Sequence, residues 1–264
     1  LSLAAVPVLR PPEVRSALAG YLLAIADDEL ILGHRHSEWT GFAPDIESDV
    51  ALSSVAQEEI GHARLFYERA CDLLGGDPDT LAYGRAPDEF RSAVFVERPN
   101  GDWGFTITRM CLYDHADAVR LEALAAGTVS PLADLAKTLR REEKYHLMYG
   151  EQWLRHLSQA TPDSRTRVQE ALDRAWPDAW MLFEPVDAQS ALVAAGVMRG
   201  DARDQRRLWL AQIAPVLDGA GLKTPSPPDA VAVPNGRIGA HTDDLRVLLD
   251  EMTSVRRTEP GARW

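Results

Sequence analysis

The tetrad Glu-x-x-His occurs twice in this chain of 264 residues, as Glu59-Ile60-Gly61-His62 and as Glu143-Lys144-Tyr145-His146, and each copy is preceded by a second glutamate, Glu58 and Glu142. Three residues apart on a helix, a carboxylate and an imidazole share one face and can reach a common point. The surrounding pattern turns that face inward, because apolar residues recur at steps of three and four around both tetrads. Leu52, Val55 and Phe66 flank Glu59 and His62, and Leu132, Leu139 and Trp153 flank Glu143 and His146. Two more stripes each contain an acid. Leu18, Leu22, Ile25 and Leu32 enclose Glu29, and Ile107, Cys111 and Leu121 enclose Asp114. Asp117 lies off the centre of that last stripe and Glu122 beside its apolar member Leu121, so periodicity favours Asp114. A carboxylate buried ionised and unpaired costs on the order of several kcal/mol, so four of them facing one core demand a cation. The intervals nearly repeat, with 30 residues from Glu29 to Glu59 and 29 from Asp114 to Glu143. Two similar helix pairs are therefore expected to face each other. One carboxylate from each of two helices and Glu-x-x-His from each of the other two is the ligand arrangement of ferritin-like di-iron and di-manganese bundles.

The rest of the chain suits that architecture. Strand-like alternation is scarce, and helices are predicted over Pro12–Trp39, Ile46–Leu74, Trp103–Ala126, Pro131–Ser158, Asp163–Leu182, Asp201–Asp218 and Thr242–Arg256. The long polar connection Asp77–Gly101 reads as the crossover of the bundle, with a turn of structure of its own, and Lys223–Gly239 as a Pro-rich loop. The expected fold is all-α, a ferritin-like four-helix bundle with additional C-terminal helices. It is read as a single domain over 1–264, the core bundle at about 12–158 and the helical extension at about 163–264. A net charge of -12 argues against nucleic acid as a ligand, and no apolar stretch has the length of a membrane span. Leu1 to Pro12 lacks the pattern of a secretory signal. The two cysteines, Cys71 and Cys111, form neither a framework nor a CxxC, which suits a reducing cytoplasm.

Oxygen ligands with only two imidazoles favour iron, with manganese as the alternative, over a structural zinc. Glu59 and Glu143 are expected to bridge two ions, with Glu29, Asp114, His62 and His146 as terminal ligands and open positions for dioxygen. These six are the candidate catalytic and metal-binding residues. Asp28, Glu58 and Glu142 are candidates to hydrogen-bond the ligand histidines across the bundle. His34, His36, His115, His156 and His241 lack the acid spacing and read as surface or supporting side chains. Trp103, Trp153, Trp176, Trp180 and Trp209 read as packing residues of the core or a subunit interface.

The sequence also resembles a known family, the oxygenase component of the bacterial phenylacetyl-CoA epoxidase, over nearly its whole length. Gly33-His34-Arg35-His36-Ser37-Glu38-Trp39, Phe95-Val96-Glu97-Arg98-Pro99-Asn100-Gly101, Gly239-Ala240-His241-Thr242 and Pro260-Gly261-Ala262-Arg263-Trp264 are similar to its PaaC-type subunit, usually treated as structural. The metal positions are similar to its PaaA-type catalytic subunit: Gln57-Glu58-Glu59-Ile60-Gly61-His62 and Glu142-Glu143-Lys144-Tyr145-His146, with Glu29 and Asp114 where the remaining iron ligands fall. The resemblance implies a di-iron monooxygenase subunit of a multicomponent complex, which uses dioxygen to epoxidise the ring of an aryl-CoA substrate. It implies a ferritin-like homologue, catalytic or structural, as partner in an oligomer. It also implies a separate reductase carrying flavin and an iron-sulfur centre, since this chain has too few cysteines for a cluster and no Gly-rich dinucleotide fingerprint. Arg35, Arg98 and Arg237 are candidates to meet CoA phosphates. Two alternatives stand beside that reading, a noncatalytic PaaC-type subunit that binds a catalytic homologue and a ferritin-like iron- or peroxide-handling protein.

Overall fold

A computed structural model describes residues 2–228 and 234–259. Pro260–Trp264, which carries one of the resemblances above, lies outside the described residues, as does the middle of the Pro-rich loop. The element order is α1 (Pro12–Ser37), α2 (Ile46–Leu74), α3 (Pro78–Tyr83), α4 (Val94–Glu97), α5 (Trp103–Ala125), α6 (Ser130–Ala160), α7 (Pro162–Ala179), α8 (Gln189–Ala194), α9 (Ala202–Gly219), α10 (Asp243–Met252) and α11 (Ser254–Thr258), with short 3-10 turns between some of them. Among the described residues there is no strand.

The long helices start where backbone N–H groups find acceptors. Asp45 accepts from the Ser48 N–H at 2.7 Å and Asp102 from the Phe105 N–H at 2.8 Å, which starts α2 and α5. Pro12 opens α1 and Pro131 lies in the first turn of α6, where a missing N–H costs nothing. Gly75 ends α2 with φ 77°, a left-handed conformation that favours glycine.

α1 packs along α2, and α5 along α6, more extensively than any other pair of elements. The crossover between α2 and α5 carries α3 and α4, so the two helix pairs face each other as a ferritin-like four-helix bundle. α7 and α9 cover the outer side of α5, and α8 and α4 pack on α1. These coverings explain a difference among the four core helices: α1 and α5 are buried nearly all round, whereas α2 and α6 keep one face in solvent. Trp176 stacks on Trp209 at 5.1 Å in the interior, and the half-buried Trp153 meets the buried Trp103 edge to face at 5.4 Å, so all four are packing residues. Among the described residues, no helix is long and apolar enough to cross a membrane.

The structure departs from the predicted boundaries in the extension. Asp163–Leu182 is not one helix: α7 stops at Ala179 and tightens into a 3-10 turn over Trp180–Phe183. Thr242–Arg256 breaks at Thr253, whose hydroxyl donates to the Leu249 carbonyl at 2.6 Å and separates α10 from α11. The six-residue α8 has no counterpart in the predicted elements, being too short to show a periodicity.

Candidate metal centre

All six candidate ligands lie inside the bundle at 3% exposure or less. α1 supplies Glu29, α2 supplies Glu59 and His62, α5 supplies Asp114, and α6 supplies Glu143 and His146. Glu143 stands between the two histidines, with Oε1 3.1 Å from Nδ1 of His62 and Oε2 3.3 Å from Nδ1 of His146. Its two oxygens thus face one imidazole each. Glu29 Oε2 lies 3.7 Å from the same Nδ1 of His62, and atoms of Glu29, His62 and Glu143 all lie within 4.8 Å of one another, a metal-ligating spacing. Glu59, Asp114 and His146 lie outside that trio.

The outward-facing nitrogens are held by the glutamates that precede each tetrad, in a crossed arrangement. His62 Nε2 donates to Glu142 of α6 and His146 Nε2 donates to Glu58 of α2, both at 2.8 Å. Each tie spans the α2/α6 face and aims Nδ1 of its ring at the interior. Asp28 does not join them. It pairs instead with Arg120 and Arg237 and accepts from the Ala93 N–H, because one residue before Glu29 on a helix points about 100° away from the ligand stripe. Arg35 is buried on the Glu97 carbonyl and paired with Glu38, Arg237 is buried on backbone carbonyls and Asp28, and Arg98 is paired with Asp178 and Asp244, so none of the three offers a free guanidinium to a phosphate.

Two partners of the cluster fall outside the set expected from spacing. Tyr113 donates to Glu29 Oε1 at 2.8 Å, and His36 Nδ1 lies 2.9 Å from Glu59 Oε2. His36 is seven residues beyond Glu29 on the same helix face, a position the stripe marks although no acid spacing does.

The buried atoms left without a hydrogen-bond partner among the described residues form a pattern. They include Glu29 Oε2, Glu59 Oε1, both oxygens of Asp114 and Nδ1 of His146. Asp117 is equally buried, but Arg120 holds its Oδ1 at 3.0 Å, so Asp114 is the unpaired acid of α5. Each buried unsatisfied polar group costs about 1–3 kcal/mol, and more when charged, so hard oxygen donors stranded around two imidazoles fit a pair of oxygen-loving cations. Without a cation, protons do this work. Burial, and then the neighbouring Glu29 carboxylate, push Glu59 well above the usual carboxylate range, and burial does the same to Asp114. Burial opposes charge on His62 and His146, yet the carboxylates close to them, Glu143 and Glu29 for His62 and Glu143, Asp114 and Glu59 for His146, outweigh it and raise them to about 12 and about 10. Burial also works against the Glu143 carboxylate, which the two histidines nevertheless hold down at about 2. A metal held by all six candidates would have to expel protons from His62, His146, Glu59 and Asp114, so its apparent affinity would climb steeply with pH. Proton release during anaerobic Mn(II) titration in weak buffer checks this, and loading without proton release contradicts it.

Close helix approach keeps Glu59 in place. A Cβ on Gly33 of α1 would sit 2.8 Å from Ile60 Cγ1, 3.1 Å from the Ala56 carbonyl and 3.3 Å from Glu59 Cβ. Gly33→Ala is expected to lower the melting temperature, because overpacking of about 1–3 kcal/mol exceeds the helix-propensity gain of about 1 kcal/mol. A thermal melt with unchanged or higher midpoint would contradict the tight contact.

Comparison with known proteins places this arrangement. The phenylacetic acid catabolic protein family matches residues 8–264. The chain belongs to that family. Within it, the chain is 32% identical over 248 residues to the C-type subunit of the 1,2-phenylacetyl-CoA epoxidase of Escherichia coli (strain K12), covering 94% of this chain and 99% of that one. It is 24% identical over 207 residues to the A-type subunit of the same epoxidase, covering 74% of this chain and 67% of the relative. The family resemblance read from the motifs is thus the right one.

Proposed function

We propose that this chain is a di-iron monooxygenase subunit of a phenylacetyl-CoA epoxidase-like complex, with Glu29, Glu59, His62, Asp114, Glu143 and His146 as the metal-holding residues. The observation that carries the reading is Glu143, a buried carboxylate whose two oxygens each face a histidine while four further carboxylate oxygens nearby have no partner among the described residues. A bound iron pair would supply the activation of dioxygen, with insertion of one oxygen atom into an aromatic acyl-CoA ring. The protein's own part follows from its side chains. Glu58 and Glu142 fix the histidine rings, Tyr113 fixes Glu29, and the helices around the cluster exclude bulk water, which strengthens every electrostatic contact inside. Electrons would come from a separate flavin and iron-sulfur reductase, and a ferritin-like homologue would complete the oligomer, in the cytoplasm. Anaerobic Fe(II) loading followed by metal analysis tests the centre: two irons per chain are expected, and well under one would overturn the reading.

The higher identity to the C-type relative than to the A-type one favours a second reading, in which the chain supports a catalytic homologue and its metal site is structural. The two readings part on Glu59→Ala in the reconstituted complex. Loss of turnover supports catalysis in this chain, and full turnover supports the supporting role.

A further inference from the structure

The two glutamates of the paired tetrads occupy matching places in the sequence, yet their surroundings differ. Glu143 turns one oxygen toward His62 and the other toward His146. Glu59 has only Oε1 free, because Oε2 is 2.9 Å from Nδ1 of His36. His36 is completely buried, and its second nitrogen, Nε2, has no partner among the described residues, so Glu59 is the hydrogen-bonding group that orients the ring. A buried imidazole with a single polar contact keeps it, since losing it strands a second polar atom away from water at about 1–3 kcal/mol. We propose that His36 is a positioning residue that reserves one oxygen of Glu59, so that Glu59 offers a bound metal a single oxygen while Glu143 can offer two. The inference rests on the metal-centre reading above and adds an inequivalence between the two bridging candidates that their shared motif does not contain.

The contact fixes the direction of the hydrogen bond. An ionised carboxylate oxygen only accepts, so with Glu59 against a bound metal the His36 proton lies on Nδ1 and is donated to Oε2. The second nitrogen, Nε2, is left without a partner among the described residues. Restraint of a ligand carboxylate by a hydrogen bond tunes both affinity and coordination, and loss of such a contact typically costs about 10–100-fold in metal affinity.

The test has two arms on the full-length chain. First, ¹⁵N-histidine NMR of the Zn(II)-loaded protein reads the tautomer of His36 without any substitution. Protonation at Nδ1 is expected, and a ring protonated at Nε2 instead would overturn the proposal, since it has no proton to give Glu59. Second, Mn(II) titration and EPR compare wild type with His36→Asn, whose amide N–H can replace Nδ1–H, and His36→Leu, which keeps volume but cannot donate. The expected order is a wild-type-like spectrum for His36→Asn and, for His36→Leu, an altered spectrum with affinity lowered by about 10–100-fold at unchanged stoichiometry. The opposite order, with His36→Leu like wild type and His36→Asn disturbed, marks a packing residue and overturns the proposal. Failure of the wild-type chain to bind Mn(II) or Fe(II) removes the parent reading and this one together. Normal wild-type loading with the reversed order removes this one alone.

Discussion

Glu143→Gln is expected to abolish loading of the metal pair and, with it, turnover of the assembled complex. Both carboxylate oxygens are committed in space, at 3.1 Å from one histidine and 3.3 Å from the other, so no rotamer of an amide can serve both sides. Its single oxygen can face one site, and its NH₂ group would turn donor hydrogens toward the other. Contacts one step removed from the metal are worth about 10–100-fold in affinity, so removing a charge shared by two sites should cost on the order of 100-fold or more. Anaerobic Fe(II) titration with metal analysis measures this, and two tightly held irons in Glu143→Gln would contradict the arrangement. The metal-free protein should respond as well. Glu143, together with Glu29 beside His62 and with Asp114 and Glu59 beside His146, overcomes burial and raises His62 to about 12 and His146 to about 10, so the cluster stabilises the fold fully below the unfolded histidine value of 6.5 and loses that contribution as pH rises through those folded values. Urea midpoints of metal-free Glu143→Gln should therefore fall furthest below wild type near about pH 6 and converge toward it in strong alkali. Breaking a buried charged pair costs about 3–5 kcal/mol, here reduced because both rings can shed their protons once the carboxylate is gone.

What could be read from sequence follows the range over which each interaction acts. Helix ends near the site are local: Asp45 caps α2 through the backbone N–H three residues on, and Gly75 ends the helix by its own backbone preference. The ligand stripe is local too, since Glu59 and His62 share a face wherever their helix lies. The crossed ties depend on how far α2 and α6 slide past each other, so Glu58 could be nominated as a supporting acid but its choice of His146 over His62 could not. Asp28 shows the limit most clearly. Its partner Arg237 lies 209 residues away on a loop, and no local pattern connects them. His36 was within reach, because it continues the Glu29 stripe by two turns, but a lone histidine without a spaced acid carries no metal signature.

That same Asp28 carries the second large effect. Asp28→Ala is expected to destabilise the protein by about 3–5 kcal/mol, because it leaves two buried guanidinium groups short of their counter-charge. Arg120 Nη1 meets Oδ2 at 2.5 Å, and Arg237 meets Oδ1 at 2.9 Å and Oδ2 at 2.7 Å, while the Ala93 N–H donates to Oδ1 at 2.8 Å. Arg237 also donates to the carbonyls of Ala24, Arg91 and Leu182, so this one side chain ties the end of the Pro-rich loop to α1 and to the crossover. Its approach depends on the preceding glycine: a Cβ on Gly236 would lie 1.8 Å from the Ser92 carbonyl oxygen. Arg237→Leu should cost less than Asp28→Ala, since Arg120 and the Ala93 N–H still satisfy the carboxylate. The acid dependence has a definite sign. Burial alone would raise the Asp28 pKa, but Arg237 and Arg120 outweigh it and hold it below 3.8. A depressed folded value means that stability is present above the unfolded value and is lost as pH falls through the folded one, so wild type should weaken below about pH 4. Asp28→Asn lacks that titration, and its deficit relative to wild type should shrink as the pH drops. Urea denaturation across the acid range measures both quantities, and an Asp28→Ala cost within about 0.5 kcal/mol of zero, the size of an ordinary surface change, would mean that the two arginines find other partners. Because Asp28 precedes Glu29 on the same turn of α1, metal affinity should fall in parallel with stability, whereas Glu143→Gln should lose metal far out of proportion to its loss of stability.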